Sequence, residues 1–400
     1  LDLDTATDSG DYRTTFERCL REIGWAAKAP LQGKPIDGRY HGLAVGCYFE
    51  GGASGPRENA QLVLQTDGTV SVYVGSSANG QGLETAFAQI AADALEMPMA
   101  RIRGVFHGST DLLREGFGTY SSRSIVMGGS AILAAAAKLR EAIRGAAARR
   151  FGCDAKDVEI VDGRVRAAGK SLSLADLARQ VGQSTLDQQP VFSPPPCGEG
   201  SGVGVGSGGT RGPQPPDPPP RPSPTRGEGE EFISADGTYA SPRRTYSYGA
   251  RAAHVAVDPR TGHVEVIDYV AVEDVGRIIN PAMLHGQAVG AIVQGLGGTF
   301  LEHLVYDEQA QLLTGSLADY LMPTASDFPV VRALALEEKP APHNPLGAKG
   351  AGEGGIIPVG GVIANAVAAA LRPLSVEPRE LPLSPPKLWE MIAAGRAGSL

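Results

Sequence analysis

Between Ser193 and Glu230, 11 of 38 residues are proline and 10 are glycine, and large apolar side chains are absent. Such a stretch cannot bury enough apolar surface to offset the entropy of ordering it. It is expected to be a disordered insertion that leaves two folded parts, residues 1–192 and 231–400. Gly202, Gly204 and Gly206 do not read as a phosphate loop, because no strand pattern precedes them and no helix pattern follows. Cys197 falls within the same stretch. Lengthening a surface loop costs entropy only slowly, so the insertion is expected to loop out from the fold.

On either side the patterning is that of ordinary folded chain. Tyr12, Phe16, Leu20 and Ile23 share one helical face within Asp11–Trp25. Leu62 to Leu64 and Val70 to Val74 flank an Asp67-Gly68 turn and predict a hairpin. Helices are expected over Leu83–Leu95, stopped by Pro98, and over the alanine-rich Ser124–Arg149, where alanine loses little entropy. Ile102–Phe106 reads as a strand. Val158–Val165 reads as a second hairpin about Asp162-Gly163, and Ser173 with Asp176 as a capping box. After the insertion come strands Thr245–Val257 and Val264–Val272 about a turn at Asp258–Gly262. Helices Pro281–Leu296 and Val362–Leu371 follow, then a last one opening at Ser384-Pro-Pro. Without regular strand–helix–strand alternation, the expected fold class is α+β, two layered subdomains rather than one doubly wound sheet.

Four hundred residues are enough for about two or three domains. The net charge of −8 argues against a nucleic-acid partner, which requires a basic face; Arg149-Arg150 and Arg243-Arg244 are only short clusters. No apolar run approaches the roughly 20 residues of a membrane span. The chain opens on Leu1-Asp2-Leu3-Asp4 without Met, charged n-region or apolar h-region, and reads as the cut edge of a longer polypeptide. Cys19, Cys47, Cys153 and Cys197 lie too far apart for a local zinc or iron–sulfur clip. Their scarcity suits a reducing compartment, hence a cytoplasmic expectation.

Three glycine-rich polar clusters carry the candidate chemistry: Asn79-Gly80-Gln81-Gly82, Gly118-Thr-Tyr-Ser-Ser-Arg-Ser124 and Gly347-Ala-Lys-Gly-Ala-Gly-Glu-Gly-Gly355. Each lies close before a predicted helix. Glycine lets backbone approach a ligand, and helix N-termini with adjacent N–H groups attract anions. Together they suggest a large polyanionic cofactor; three plain turns are the alternative. Gly350-x-Gly352-x-x-Gly355 matches a dinucleotide fingerprint in spacing alone. Pro340-Ala-Pro-His-Asn-Pro345 precedes it where a central strand should be, and only 45 residues follow. Lys349 is not in a Walker register. What remains is Glu353 between glycines, either a solvated loop residue or a functional carboxylate.

In order along the chain stand Gly80-Gln81-Gly82-Leu-Glu-Thr85, Gly118–Ser124, Asn280-Pro281, Gly286-Gln287 with Gln294-Gly295, Asn344–Glu353 and Ile363–Leu371. Together these motifs resemble the second molybdopterin-binding region of the xanthine dehydrogenase, aldehyde oxidase and aerobic carbon monoxide dehydrogenase large-subunit family. The wording is nearest the carbon-monoxide-dehydrogenase-like branch. The resemblance covers nearly all of the chain outside Ser193–Glu230.

The resemblance implies a molybdenum held by a pterin dithiolene, often as the cytosine dinucleotide in bacteria, with no protein side chain as metal ligand. It gives Gly80, Gln81, Gly82 and Gln287 to the cofactor's polar edges. It gives Ser121, Ser122 and Ser124 to the pterin and phosphate portion, and Lys349 and Gly350 to a lining role. For Arg123 it leaves cofactor contact and a structural salt bridge equally open. Glu353 becomes the general base in hydroxylation of an electron-poor C–H group, such as that of an aldehyde or N-heterocycle, with water as the oxygen source. The implied partners are a polypeptide supplying the missing N-terminal half, a [2Fe–2S] subunit, an FAD subunit and a small-molecule substrate. A degenerate, inactive fragment and a non-redox dinucleotide or small-molecule binding module are the competing readings.

Overall fold

The computed structural model describes residues 7–110, 113, 115–186 and 232–397. The stretch Ser193–Glu230, with Cys197, lies outside the described residues. Two compact units emerge: a larger one of Leu1–Val63, Val70–Glu141 and Ser234–Leu400, and a smaller one of Leu64–Thr69 and Ala142–Ile233. These units partition the chain differently from the division at Ser193–Glu230. The reason is strand pairing: β2 (Arg39–Gly52), from before that stretch, pairs antiparallel along its length with β10 (Thr245–Val257), from after it.

That pair is the centre of a five-stranded sheet in the larger unit. In order it runs β1 (Pro35–Ile36), β2, β10, β11 (Val264–Asp274) and β12 (Arg332–Leu336). All 13 residues of β10 are buried, because both faces of the sheet are covered. One face packs on α1 (Tyr12–Ile23), through Cys19, Ile23, Ala250, Ala252, Val270 and Val272. Asp11 caps α1 by accepting from Thr14 N–H, and Gly24 ends it in the left-handed conformation before the short α2 (Trp25–Lys28). The opposite face packs on α6 (Pro281–Phe300), α7 (Val359–Leu371) and α8 (Pro385–Ala397), with Ile292, Leu296, Val362, Ala366 and Ile392 in that core.

The second sheet has the order β5 (Ile102–Phe106), β4 (Val70–Val74), β3 (Glu58–Leu64), β9 (Ile233–Tyr239). Beside it lie α3 (Leu83–Leu95) and α4 (Ser124–Phe151). A Cβ on Gly237 of β9 would sit 2.2 Å from the Ala131 carbonyl of α4, so helix and strand touch backbone to backbone. The mixed α/β layers match the α+β expectation.

The smaller unit contains the antiparallel β6 (Glu159–Val161), β7 (Arg164–Ala167) and β8 (Lys170–Ser173), followed by α5 (Leu174–Leu186). Asp162 and Gly163 both have positive φ, the geometry that two-residue hairpins favour. Ser173 Oγ accepts from Asp176 N–H, the first bond expected of this cap, while the Asp176 carboxylate accepts from the Ser173 hydroxyl and from Arg179.

Several elements differ from the sequence reading. α3 ends where Glu96 turns left-handed at φ 53°, before Pro98 is reached. β2 and β12 were not foreseen. β2 breaks the pattern rules because its even-numbered face must be nearly smooth: a Cβ on Gly42 would lie 2.0 Å from the Ala366 carbonyl, and one on Gly46 2.7 Å from Val362 Cγ2. α7 lies directly on those glycines. Among the described residues no helix is long and apolar enough to cross a membrane.

Candidate cofactor and catalytic site

The larger unit gathers the three glycine-rich clusters around one cleft of about 390 Å³. Its walls include Asn79, Gln81 and Gly82 before α3, Thr119–Ile125 entering α4, Arg277–Asn280 with Gln287 at α6, and Ala348–Glu353. The first turns of three helices therefore face one cavity, and α3 and α4 each start with backbone N–H groups that the helix itself cannot use. Asn280 caps α6 by accepting from Met283 N–H and donates to Gln89.

Each loop has a local cause. Gly82 is left-handed at φ 83°, and a Cβ there would lie 2.3 Å from Met283 Sδ, so only glycine lets α3 start against α6. Ser121 and Ser122 are left-handed without being glycine, at φ 49° and 45°. Such backbone costs of order 1–3 kcal/mol per residue and persists only where the surroundings hold it. The holding group is Arg123. Its side chain is fully buried and ion-pairs with the equally buried Glu58 at 2.8 Å. It also donates to the carbonyls of Ser54, Arg57 and Gly118. Glu58 accepts further from Ser76 Oγ and from the N–H groups of Asn59 and Phe117.

Four of the sequence-named residues either spend side-chain bonds within the fold or stand off the cleft wall, although Arg123, Ser124 and Lys349 line it. Arg123 spends its guanidinium on the loop, so it shapes the cleft instead of offering donors to a cofactor. The Lys349 ammonium donates to the Ser9 carbonyl and stands 4.8 Å over the Tyr248 ring. Burial pushes it below the usual lysine range, against the pull of Asp8 and Asp274. Lys349 therefore anchors the segment before α1, and its backbone pairs with Val275. Gly80 is not on the cleft wall; at φ 100° it supplies the turn that presents Gln81. Ser124 Oγ donates to Thr119 Oγ1, within the loop.

The rest converge. Gln81 Oε1 accepts from Asn79 N–H, while its Nε2 is buried without a partner. An orphaned donor on a cavity wall is a group waiting for an acceptor. Gln287 lines the same cavity from α6. Ser122 Oγ donates to Glu353 Oε2 at 2.8 Å and accepts from Glu353 N–H at 3.1 Å, which ties the second and third clusters together. A Cβ on Gly350 would meet the Ser122 carbonyl at 2.2 Å, so only glycine permits this contact.

Some site residues had no signal in the sequence. Antiparallel register places Thr245 beside Gly52, Ser247 beside Glu50, and Gly249 between Tyr48 and Glu273. Thr245 Oγ1 accepts from Gly350 N–H. Arg251, Glu273 and Tyr48 form a buried network in which Arg251 also donates to the Gly354 carbonyl. Glu50 lies within hydrogen-bonding reach of Ser122 and Glu353, and burial pushes its carboxyl up to about 7. Arg277, exposed on the cleft wall, adds a cation there. Among the described residues no three His, Cys, Asp or Glu side chains cluster as metal ligands.

Residues 18–329 match the family model of the molybdopterin cofactor-binding domain. The chain belongs to that family. It is 30% identical over 386 residues to the 6-hydroxypseudooxynicotine dehydrogenase complex subunit gamma of Paenarthrobacter nicotinovorans, covering 96% of this chain and 44% of that protein. It is 27% identical to the carbon monoxide dehydrogenase large chain of Hydrogenophaga pseudoflava, covering 96% and 45%. Among solved structures, quinoline 2-oxidoreductase from Pseudomonas putida 86 matches with a TM-score of 0.76 and 30% identity, covering 96% and 46%. This molybdopterin-binding chain therefore spans less than half the length of these relatives.

Proposed function

We propose that this chain is the molybdenum-cofactor-binding portion of a molybdenum hydroxylase acting on an electron-poor C–H group, with water as the oxygen source and Glu353 as general base. The observation that supports it most is the Glu353 carboxylate, fastened by Ser122 on the wall of a cleft that also holds an unpartnered amide donor, Gln81 Nε2. The cleft fits a polar, anionic group: Gln81 and Gln287 offer amides, the helix starts offer N–H groups, and Arg277 offers charge. Molybdopterin, in the cytosine dinucleotide form, would supply the redox-active metal that activates water and accepts electrons. Ser122 keeps one oxygen of Glu353 bonded and thereby orients the other for proton uptake. Electrons would leave through a [2Fe–2S] subunit and an FAD subunit, with another polypeptide supplying the N-terminal half of the large subunit. The proposed location is cytoplasmic.

In the assembled enzyme, Glu353→Gln should keep molybdenum and pterin content near normal and lower kcat roughly 100- to 10,000-fold, the range of a positioned base. Gln81→Ala should instead lower cofactor content and activity together. Full turnover by Glu353→Gln at matched molybdenum occupancy removes Glu353 from the chemistry.

A further inference from the structure

The even-numbered side chains at the end of β2 all face the loop that carries Glu353. Tyr48 lies under Gly354, where a Cβ would come within 2.5 Å of its hydroxyl, and Gly52 lies against Gly350 and Ser122. Glu50 sits between them, because strand side chains alternate with a period of two. Its carboxyl is half-buried, accepts from Ser247 Oγ at 3.4 Å, and reaches both the Ser122 hydroxyl and the Glu353 carboxyl. The other ionisable groups on this face, Tyr48, Arg251 and Glu273, are bonded to one another. Among the described residues no Lys or Arg ion-pairs with Glu50.

Counting donors decides what this contact requires. Two ionised carboxylates are acceptors only, and the single Ser122 proton already goes to Glu353. Glu50 and Glu353 can touch favourably only if a proton lies between them, the arrangement known for carboxyl pairs that cannot both ionise. Burial of Glu50 selects which one carries it.

We propose that Glu50 is a positioning residue for Glu353: its protonated carboxyl donates a hydrogen bond to the Glu353 carboxylate, so the pair holds one proton and one charge. This rests on the reading of Glu353 as the base. Glu353 is then gripped from two sides, by Ser122 and by Glu50, and its carboxyl is held in place for proton uptake. Raising the pH until Glu50 ionises replaces that hydrogen bond with repulsion and releases the grip. When Glu353 takes up a proton during turnover, the pair goes from one proton to two and Glu50 keeps its own.

The test titrates the full chain with carboxyl-labelled glutamate, followed by infrared or NMR signals of protonated carboxyls. Wild type should show one carboxyl titrating near neutral pH; Glu50→Gln should lack it. Glu353→Gln should move it down by about one pH unit or more, because a like charge has been removed. In the assembled enzyme, Glu50→Gln, whose amide can still donate, should keep kcat within a few fold and lose the alkaline decline. Glu50→Leu should lower kcat roughly tenfold or more with KM little changed, since misplacing a reacting group is costly. A Glu50 signal absent above pH 6, or one that Glu353→Gln leaves in place, overturns the proposal. The spectroscopic arm needs no turnover, so failure of the pair and failure of the base assignment give different results.

Discussion

Over its first half β2 supports a helix on Gly42, Ala44 and Gly46, whereas over its second half it supports a loop on Tyr48, Glu50 and Gly52. The two halves answer different demands. α7 satisfies its own backbone hydrogen bonds, so the sheet beneath it need only be smooth and apolar. The loop at 350–354 has no such internal ladder, so its backbone polar groups, buried at Gly350 and Gly354 and exposed at Glu353, bond elsewhere. It takes them from side chains: Thr245 for the Gly350 N–H, Ser122 for the Glu353 N–H, and Arg251 for the Gly354 carbonyl. A carboxylate can be presented to a cleft from a loop when the neighbouring loop and the underlying sheet supply its missing donors and acceptors.

The comparison is broken most severely at Glu273. Glu273→Gln keeps the shape but leaves Arg251 charged and buried without its counter-ion. Removing one partner of a buried pair typically costs about 3–5 kcal/mol. The denaturant midpoint should fall accordingly with little change in slope, and amides of residues 350–354 should exchange faster. A loss below about 1 kcal/mol would show that the loop does not depend on the network beneath it. Under the helix, Gly42→Ala should cost about 1–3 kcal/mol by overpacking, since its Cβ meets helix backbone at 2.0 Å and 2.5 Å. Gly46→Ala should cost less, because only the Val362 side chain must yield. Both should leave activity per folded molecule unchanged; a change in the Glu353→Gln direction would mean that the two halves of β2 are coupled.

What the sequence made legible follows the same division. Helices and hairpins with local signals were readable, among them α3, β10 and the Asp162-Gly163 turn. β2 was not, because Gly42 and Gly46 read as strand breakers until α7 is seen lying on them. The glycine-rich clusters were visible as loops before helices, since glycine spacing is a local property, but that they line one cleft was not. Whether Arg123 served the cofactor or the fold was undecidable, because Glu58 is its partner only after folding. Lys349 lies on the cleft wall, but its ammonium's bond to Ser9 was not legible for a related reason: the two residues meet only after folding. Glu50, Ser247 and Arg251 carried no local signal at all. Their place depends on the register of β2 with β10, two strands almost 200 residues apart.

The smallest expected effect concerns pH, and it gives the two ends of β2 opposite signs. Near its start, His41 Nδ1 and His254 Nε2 are 3.0 Å apart and buried. Burial lowers His41, and burial reinforced by the neighbouring His41 lowers His254 to about 4. The unfolded chain therefore binds more protons than the folded one between about pH 4 and 6.5, and stability is lost as pH falls through that window. At the other end Glu50 is raised from 4.5 to about 7. There the folded chain binds more protons, so stability is full below 4.5 and is lost as pH rises through about 7. Each contribution should be about 1 kcal/mol, the Glu50 one after solvent screening of a half-buried group is allowed for. Between about pH 5 and 6.5 the two slopes oppose each other, and wild type should respond weakly. Melting temperatures across pH 4–9 should separate them: Glu50→Gln leaves stability rising with pH to about 6.5, and His254→Gln leaves it falling toward pH 7 and above. Parallel profiles for wild type and Glu50→Gln would show that the Glu50 carboxyl is already ionised below neutral pH, and the contrast between the two ends of β2 would then be one of packing alone.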